Sequence, residues 1–292
     1  MNQEPIYRTI RRLEIRTRRL VDTLLQGDYR SVFKGRGMEF REVREYQPGD
    51  DVRDLDWNVT ARMGHPYVKQ FNEERELVIM LVVDGSGSCG FGTRDQLKSE
   101  LASQFCASIL FSALRGNDRA GLLLFSDKVE RYIPPGKGSR HILRILRELL
   151  TYDSRGKQTQ MGRALHLAGR LLKQRNIIFL ISDFLGQDIA RELAHLRRKH
   201  DVIGVHLLDQ WEQELPDLGL VLLEDPETGM QLEVDTGDPG VRSLFEKAAS
   251  ERRLAAAAQL REAGVDMISL STGSDFVIPL LHFFRVRERR KR

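Results

Sequence analysis

Five apolar runs constrain this 292-residue chain more than any other feature: Leu77–Val83, Ala120–Phe125, Asn176–Ile181, Val202–Leu208 and Val265–Leu270. Each has the length and branching of a strand, and they lack the strict polar alternation of a strand with one wet face. Between them lie helical patterns at about 94–114, 139–150, 161–172, 188–200 and 241–263, with a last helix starting near Asp275. Strands apolar on both faces, alternating with helices, demand a mostly parallel sheet covered on both sides. The fold class is therefore α/β. Val129–Ile133 alternates and reads as a sheet edge that Pro134-Pro135-Gly136 stops, and residues 218–234 read as a hairpin around Asp225–Gly229.

The first of these runs ends on Asp84-Gly85-Ser86-Gly87-Ser88, and Ile177–Ser182 ends on Asp183. Strand ends of a parallel sheet share one edge, which is where open α/β sheets place ligands. Asp84, Ser86, Ser88 and Asp183, with Thr159 in the loop before a helix, thus form a candidate oxygen-only site. Oxygen ligands with one position left for an outside group suit a hard divalent cation, Mg2+ above all.

Residues 1–75 read differently. Ile6, Ile10, Leu13, Leu20, Val21 and Leu24 give an amphipathic helix from residue 6 to about 26, with Arg8, Arg11, Arg12, Arg16, Arg18 and Arg19 outward. Extended stretches follow at Met38–Tyr46 and Pro66–Phe71, with a turn at Pro48–Asp51. The charges between them, Arg41, Arg44, Asp50, Asp51, Arg53, Asp54, Asp56 and Arg62, suit an internal network or a recognition surface, and Trp57 is the expected apolar anchor. The chain is thus divided into residues 1–75, packed on the rest, and a main domain, 76–292. There are no internal repeats and no low-complexity linker.

Asp84-x-Ser86-x-Ser88 with Thr159 and Asp183 resembles the metal-ion-dependent adhesion site (MIDAS) of von Willebrand factor A domains, a likeness covering about residues 76–290. Gln158 stands where that family's loop has glycine, and Ser154 and Thr151 are alternative hydroxyls. The resemblance implies a Rossmann-like sheet with helices on both faces and Mg2+ (or Mn2+ or Ca2+) held by the five residues. It also implies an Asp or Glu of a partner protein completing the shell. Glu39-Phe40, Arg44-x-Tyr46-x-Pro48-Gly49-Asp50-Asp51-x-Arg53, Asp56-Trp57, Ala61-Arg62 and Val68-Lys69-x-Phe71-x-x-Glu74-Arg75 further resemble the bacterial family catalogued as domain of unknown function 58. That resemblance implies an adaptor of MoxR-type AAA+ ATPases, a protein–protein interaction module rather than an enzyme.

Other chemistries are less well served. A serine hydrolase would use Ser88, Asp183 and His206, but Ser86-Gly87-Ser88-Cys89-Gly90 lacks the first elbow glycine. A phosphoryl-transfer enzyme with Asp84 as nucleophile would want an acid where Ser86 stands. The glycine-rich loop has no P-loop order, and the histidines show no HExxH pairing. Net charge is only +4, yet both ends are basic, Arg285–Arg292 included. Such ends can attract nucleic acid or anionic lipid, and an adaptor for a nucleic acid or an anionic membrane surface is the alternative function. A solvated helix face and a frayed tail are the plainer expectation, and no aromatics interleave with the arginines as a single-strand platform requires. No apolar span reaches about 18 residues, the start is not signal-like, and Cys89 and Cys106 read as reduced thiols. The expected location is the cytoplasm.

Overall fold

The computed structural model describes residues 8–15, 39–72, 76–93, 96–152, 159–186, 188–225 and 228–291. In chain order these form helix α1 (8–15), β1 (Glu39–Glu45), a 3-10 turn (Val52–Asp54), α2 (Trp57–Met63), β2 (Tyr67–Asn72) and β3 (Val78–Asp84). A second 3-10 turn (Gly87–Gly90), α3 (Lys98–Arg115), β4 (Arg119–Phe125), β5 (Val129–Gly136), α4 (Ser139–Thr151) and α5 (Met161–Leu171) follow. The remainder comprises β6 (Ile177–Ser182), α6 (Ala190–Arg197), β7 (Asp201–Leu208), α7 (Gln210–Gln213), β8 (Leu220–Glu224), β9 (Gln231–Asp235), α8 (Pro239–Glu262), β10 (Asp266–Ser271) and α9 (Val277–Lys291). The chain divides into two compact units, Phe33–Glu76 and the remainder. The opening helix thus groups with the larger unit and not, as its sequence position suggests, with the extended segment that follows it.

The larger unit is built on a six-stranded sheet in the order β10-β7-β6-β3-β4-β5. All neighbours are parallel except β5, which returns antiparallel beside β4. The chain therefore walks outward from β3 to β5, jumps back to β6 and walks outward the other way. The reversal lies between β3 and β6, and this is the topological switch point of an open α/β sheet. The α/β architecture expected from the sequence is present.

The apolar runs are buried on both faces because each face has its own helices. Met80, Val82, Leu123, Phe125, Ile178 and Leu180 meet α5, α6 and α8 through Met161, Leu165, Leu193 and Leu260. The alternate residues look the other way, where Phe105 of α3 meets Phe179 edge-to-face at 5.6 Å between ring centroids. In α1, Ile10 and Leu13 are buried, as its periodicity predicts, while Ile6, Leu20, Val21 and Leu24 lie outside the described residues. The sheet edge at β5 runs through Pro134 and Pro135 to Gly136 rather than stopping before them. An edge strand tolerates proline because one side of its backbone has no ladder to serve. The expected hairpin is β8–β9. Among the described residues no helix is long and apolar enough to cross a membrane.

The smaller unit is an antiparallel β1–β2 pair with α2 beside it. Its charges work locally: both Arg44 guanidinium Nη atoms donate to Asp50, at 2.8 and 2.6 Å, and the Gln47 N–H donates to the same carboxylate, closing the turn. Asp56 caps α2 by accepting from the Asn58 and Val59 N–H groups, and Gly64 ends it in the left-handed conformation. Trp57 is not the anchor its apolar bulk suggests, because it begins α2 and is 70% exposed. Among the described residues of this unit Val68 is the buried apolar one.

Candidate metal centre

Asp84 ends the central strand β3, next to the switch point, and is buried. Its Oδ1 accepts the Ser86 N–H at 2.9 Å and its Oδ2 accepts the Ser182 hydroxyl at 2.7 Å. Ser86 and Ser88, also buried, place their hydroxyl oxygens 3.1 Å apart. Glycine at position 85 is a matter of space: a Cβ there would stand 2.3 Å from Cε1 of the Tyr152 ring. Burial and the neighbouring Asp183 charge push the Asp84 pKa up to about 6, against the pull of the Ser182 and Ser86 hydrogen bonds.

Asp183 follows β6 on the other side of the switch point. Its backbone is positioned at some cost, because the next residue, Phe184, has φ of 54°, unusual for a bulky side chain. Two contacts hold that turn. The Phe184 N–H donates to Ser182 Oγ at 3.0 Å, and the Phe184 ring packs edge-on against His206, 5.7 Å between centroids. Burial keeps the His206 imidazole neutral, its pKa lowered to about 4.

The Asp183 carboxylate is already occupied. Lys98, fully buried at the head of α3, donates its ammonium to Asp183 Oδ2 at 2.9 Å and to Glu212 Oε1 of α7 at 2.6 Å. Burial presses the Lys98 pKa down, but the two carboxylates outweigh it and hold the group charged. One strand further out, Asp209 accepts from the Thr93 N–H and hydroxyl, the Thr272 hydroxyl and the Trp211 N–H. Burial pushes its pKa up, yet these donors together hold it below the usual carboxylate range.

The structure therefore brings Asp84, Ser86 and Ser88 into one hydrogen-bonded cluster and sets Asp183 near enough for its charge to raise the Asp84 pKa. Thr159 is buried on the β4 side, where the adjoining Gln160 N–H donates to Ser126 O at the end of β4, 2.8 Å away. No described hydrogen bond joins Thr159 to Asp84. Of the alternative hydroxyls, Thr151 donates to Arg147 O within α4, and Ser154 lies outside the described residues.

Among the described residues no three His, Cys, Asp or Glu side chains cluster as a metal site. The donor set is one carboxylate with hydroxyls, and a second carboxylate held by an ammonium. Asp84, Ser86 and Ser88 fit a hard cation by chemistry and by the unbalanced charge that raises Asp84. Asp183 differs in that Lys98 holds its Oδ2, so its charge is already paired before any ion arrives.

A family model described as protein of unknown function DUF58 matches residues 42–255. Rv1480 of Mycobacterium tuberculosis is 36% identical over 283 residues, spanning 96% of this chain and 89% of its own. The chain belongs to the DUF58 family. Mb1516 of Mycobacterium bovis matches to the same extent. Among solved structures the chain is similar to BatB of Bacteroides thetaiotaomicron, at 14% identity and a TM-score of 0.48 over 73% of this chain and 99% of that one. It is also similar to the SpRpn10 VWA domain, at 11% identity and a TM-score of 0.39 over 72% and 95%.

Sequence reasoning missed Lys98, Glu212 and Asp209. The signals were present. The stripe Leu101, Phe105, Ile109 extended back by one turn lands on Lys98 as readily as on Leu97, and it is Leu97 that is 40% exposed. Asp209 is a third acid at a strand end, following Leu207-Leu208. The basic tail is helical, not frayed: Arg287 of α9 is buried and paired with Asp201 and Asp266, and Arg290 also pairs with Asp266.

Proposed function

We propose that this DUF58 protein is a cytoplasmic interaction module that binds an Asp or Glu of a partner protein through a divalent ion at the carboxyl edge of its sheet. Asp84 supplies the charge, Ser86 and Ser88 supply hydroxyl oxygens, and Thr159 is the further hydroxyl on the β4 side. Mg2+ is the expected ion, with Mn2+ or Ca2+ as substitutes, and when bound it supplies the positive field that a partner's carboxylate seeks. The observation that carries this reading is the buried Asp84–Ser86–Ser88 cluster at the switch point, whose carboxylate has hydrogen bonds but, among the described residues, no counter-charge of its own. The family resemblance makes a MoxR-type AAA+ ATPase the first partner to test, with this chain as its adaptor.

A non-enzymatic role is supported by what the side chains do instead of catalysis. The Ser88 hydroxyl lies against that of Ser86 rather than an imidazole, and Asp183 serves an ammonium rather than a histidine.

The test is Mg2+ titration by calorimetry on wild type and Asp84→Ala, with circular dichroism as the control for folding. Capture of the candidate ATPase with and without EDTA follows. Binding by wild type, loss in the variant and chelator-sensitive capture are expected. Mg2+-independent capture that survives Asp84→Ala would overturn the mechanism.

A further inference from the structure

The two acids at the switch point are not equally available. Asp84 is engaged by a backbone N–H and a hydroxyl, contacts that a carboxylate keeps while ligating an ion. Asp183 has its Oδ2 in an ion pair with Lys98 and its Oδ1 facing the Leu185 N–H at 3.3 Å. Lys98 is anchored a second time by the partly exposed Glu212, so its ammonium cannot leave Asp183 without breaking up a three-charge cluster.

Its position argues for a specific purpose. A lysine as the first residue of an 18-residue helix places positive charge at the positive end of the macrodipole, the wrong end on electrostatic grounds. It is also fully desolvated there. Both costs are offset only by what it holds.

We propose that Lys98 is a built-in counter-ion that withholds Asp183 from the divalent ion, and thereby sets a weak metal affinity while preserving affinity for a partner's acid. This rests on the metal-dependent reading above. The charge account gives the reason. Asp84, Asp183 and Glu212 carry three negative charges against the one positive charge of Lys98. A divalent ion brings these four groups to neutrality, so an arriving carboxylate meets less negative charge than it would without Lys98. Without Lys98 the occupied site would stay net negative, tighter for the ion and less hospitable to the acid.

The experiment is Mg2+ calorimetry on the full chain at neutral pH, for wild type, Lys98→Met, the double variant Lys98→Met/Asp183→Asn, and Asp84→Asn, each checked by circular dichroism. Removing the ammonium alone should tighten Mg2+ binding by about tenfold or more, because a like charge is lost from a poorly screened site. Since Lys98→Met leaves Asp183 unpaired and can unfold the chain, the double variant removes both charges together. Its Mg2+ affinity should stay within about threefold of wild type, a balanced pair adding little net field at the ion. Unchanged affinity in Lys98→Met, or a tenfold loss in the double variant, would overturn the role of Lys98 while leaving the metal site standing, provided wild type binds and Asp84→Asn does not. Absence of Mg2+ binding in wild type and every variant would overturn the metal reading and this inference with it.

Discussion

Asp209 gives the sharpest test of how this sheet edge is held. Its carboxylate has no exposed surface and accepts the Thr93 N–H at 2.9 Å, the Thr93 hydroxyl at 2.8 Å, the Trp211 N–H at 2.9 Å and the Thr272 hydroxyl. It thus ties the β3–α3 loop and the ends of β7 and β10 to one point. Replacement by alanine leaves four donors behind. The two hydroxyls can rotate toward other acceptors, whereas the two backbone N–H groups cannot. An orphaned buried donor costs about 1–3 kcal/mol, so Asp209→Ala should lose roughly 3–5 kcal/mol, the upper end softened because a buried charge is also removed. Asp209→Asn should lose less, since its amide keeps one acceptor but turns an NH2 toward the donors. Urea unfolding at pH 7, followed by circular dichroism, should show a lower midpoint with an unchanged slope. Because the folded-state pKa of Asp209 lies below its usual 3.8, its stabilisation is complete above that value and is lost as pH falls through the folded one. The gap between wild type and variant should therefore be flat from pH 5 to 8 and close only in stronger acid. A loss below about 1 kcal/mol, or a gap that closes near neutrality, would refute the carboxylate as a load-carrying tie.

Asp84 should behave in the opposite sense. With its folded pKa raised from 3.8 to about 6, it is penalised when ionised by about 3 kcal/mol in order of magnitude, fully above pH 6 and progressively relieved as pH falls toward 4. Metal-free protein should gain stability on acidification through that window, and Asp84→Asn should abolish the gain while raising stability at pH 7; a flat profile in wild type would contradict it. Mg2+ must displace the proton that Asp84 carries below pH 6, so its affinity should fall as pH drops, with proton release visible in buffers of different ionisation heat. Gly85→Ala places a Cβ 2.3 Å from the Tyr152 ring, so about 1–3 kcal/mol should be lost as the ring is displaced, and Mg2+ titration should weaken with it. Arg287→Ala should cost about 3 kcal/mol by stranding Asp201, yet leave Mg2+ binding intact. Asp201 and Asp266 begin β7 and β10, at the end of the sheet opposite the site.

What the sequence discloses about this protein divides by range. The uninterrupted apolar runs specify strands with two covered faces, and the acids that follow three of the five, Asp84, Asp183 and Asp209, specify the edge that carries polar side chains. Those are local patterns. The missed helix α2 is seven residues long with no buried side chain, so it casts no apolar stripe, and its caps Asp56 and Gly64 were its legible signals. Trp57 misleads for a related reason, since bulk predicts burial only where a partner surface exists, and the first turn of α2 offers none. The Lys98 contacts span 85 residues to Asp183 and 114 to Glu212. Nothing in periodicity reaches that far, and a lysine near a helix start reads by default as solvated. The helical tail was misjudged on the same ground, because the fate of Arg287 depends on acids that begin two distant strands.

Three adjacent strands, β3, β6 and β7, deliver an acid to one edge, and the fold compensates each differently. Asp209 is quenched by four donors from neighbouring loops, and its pKa falls. Asp183 is quenched by a buried ammonium. Asp84, between them and the β4 side, receives one N–H and one hydroxyl, and its pKa rises. A carboxylate whose burial is left under-compensated is costly to keep unless something outside the chain completes it. The hydroxyls of Ser86 and Ser88 cannot cancel its charge, but they can share in holding an ion that does. Had the edge evolved for stability alone, a lysine serving Asp84 would have been as accessible as the one serving Asp183. Among the described residues the buried cation serves the second acid and none serves the first, the arrangement that the proposed binding of an ion and a partner's acid requires.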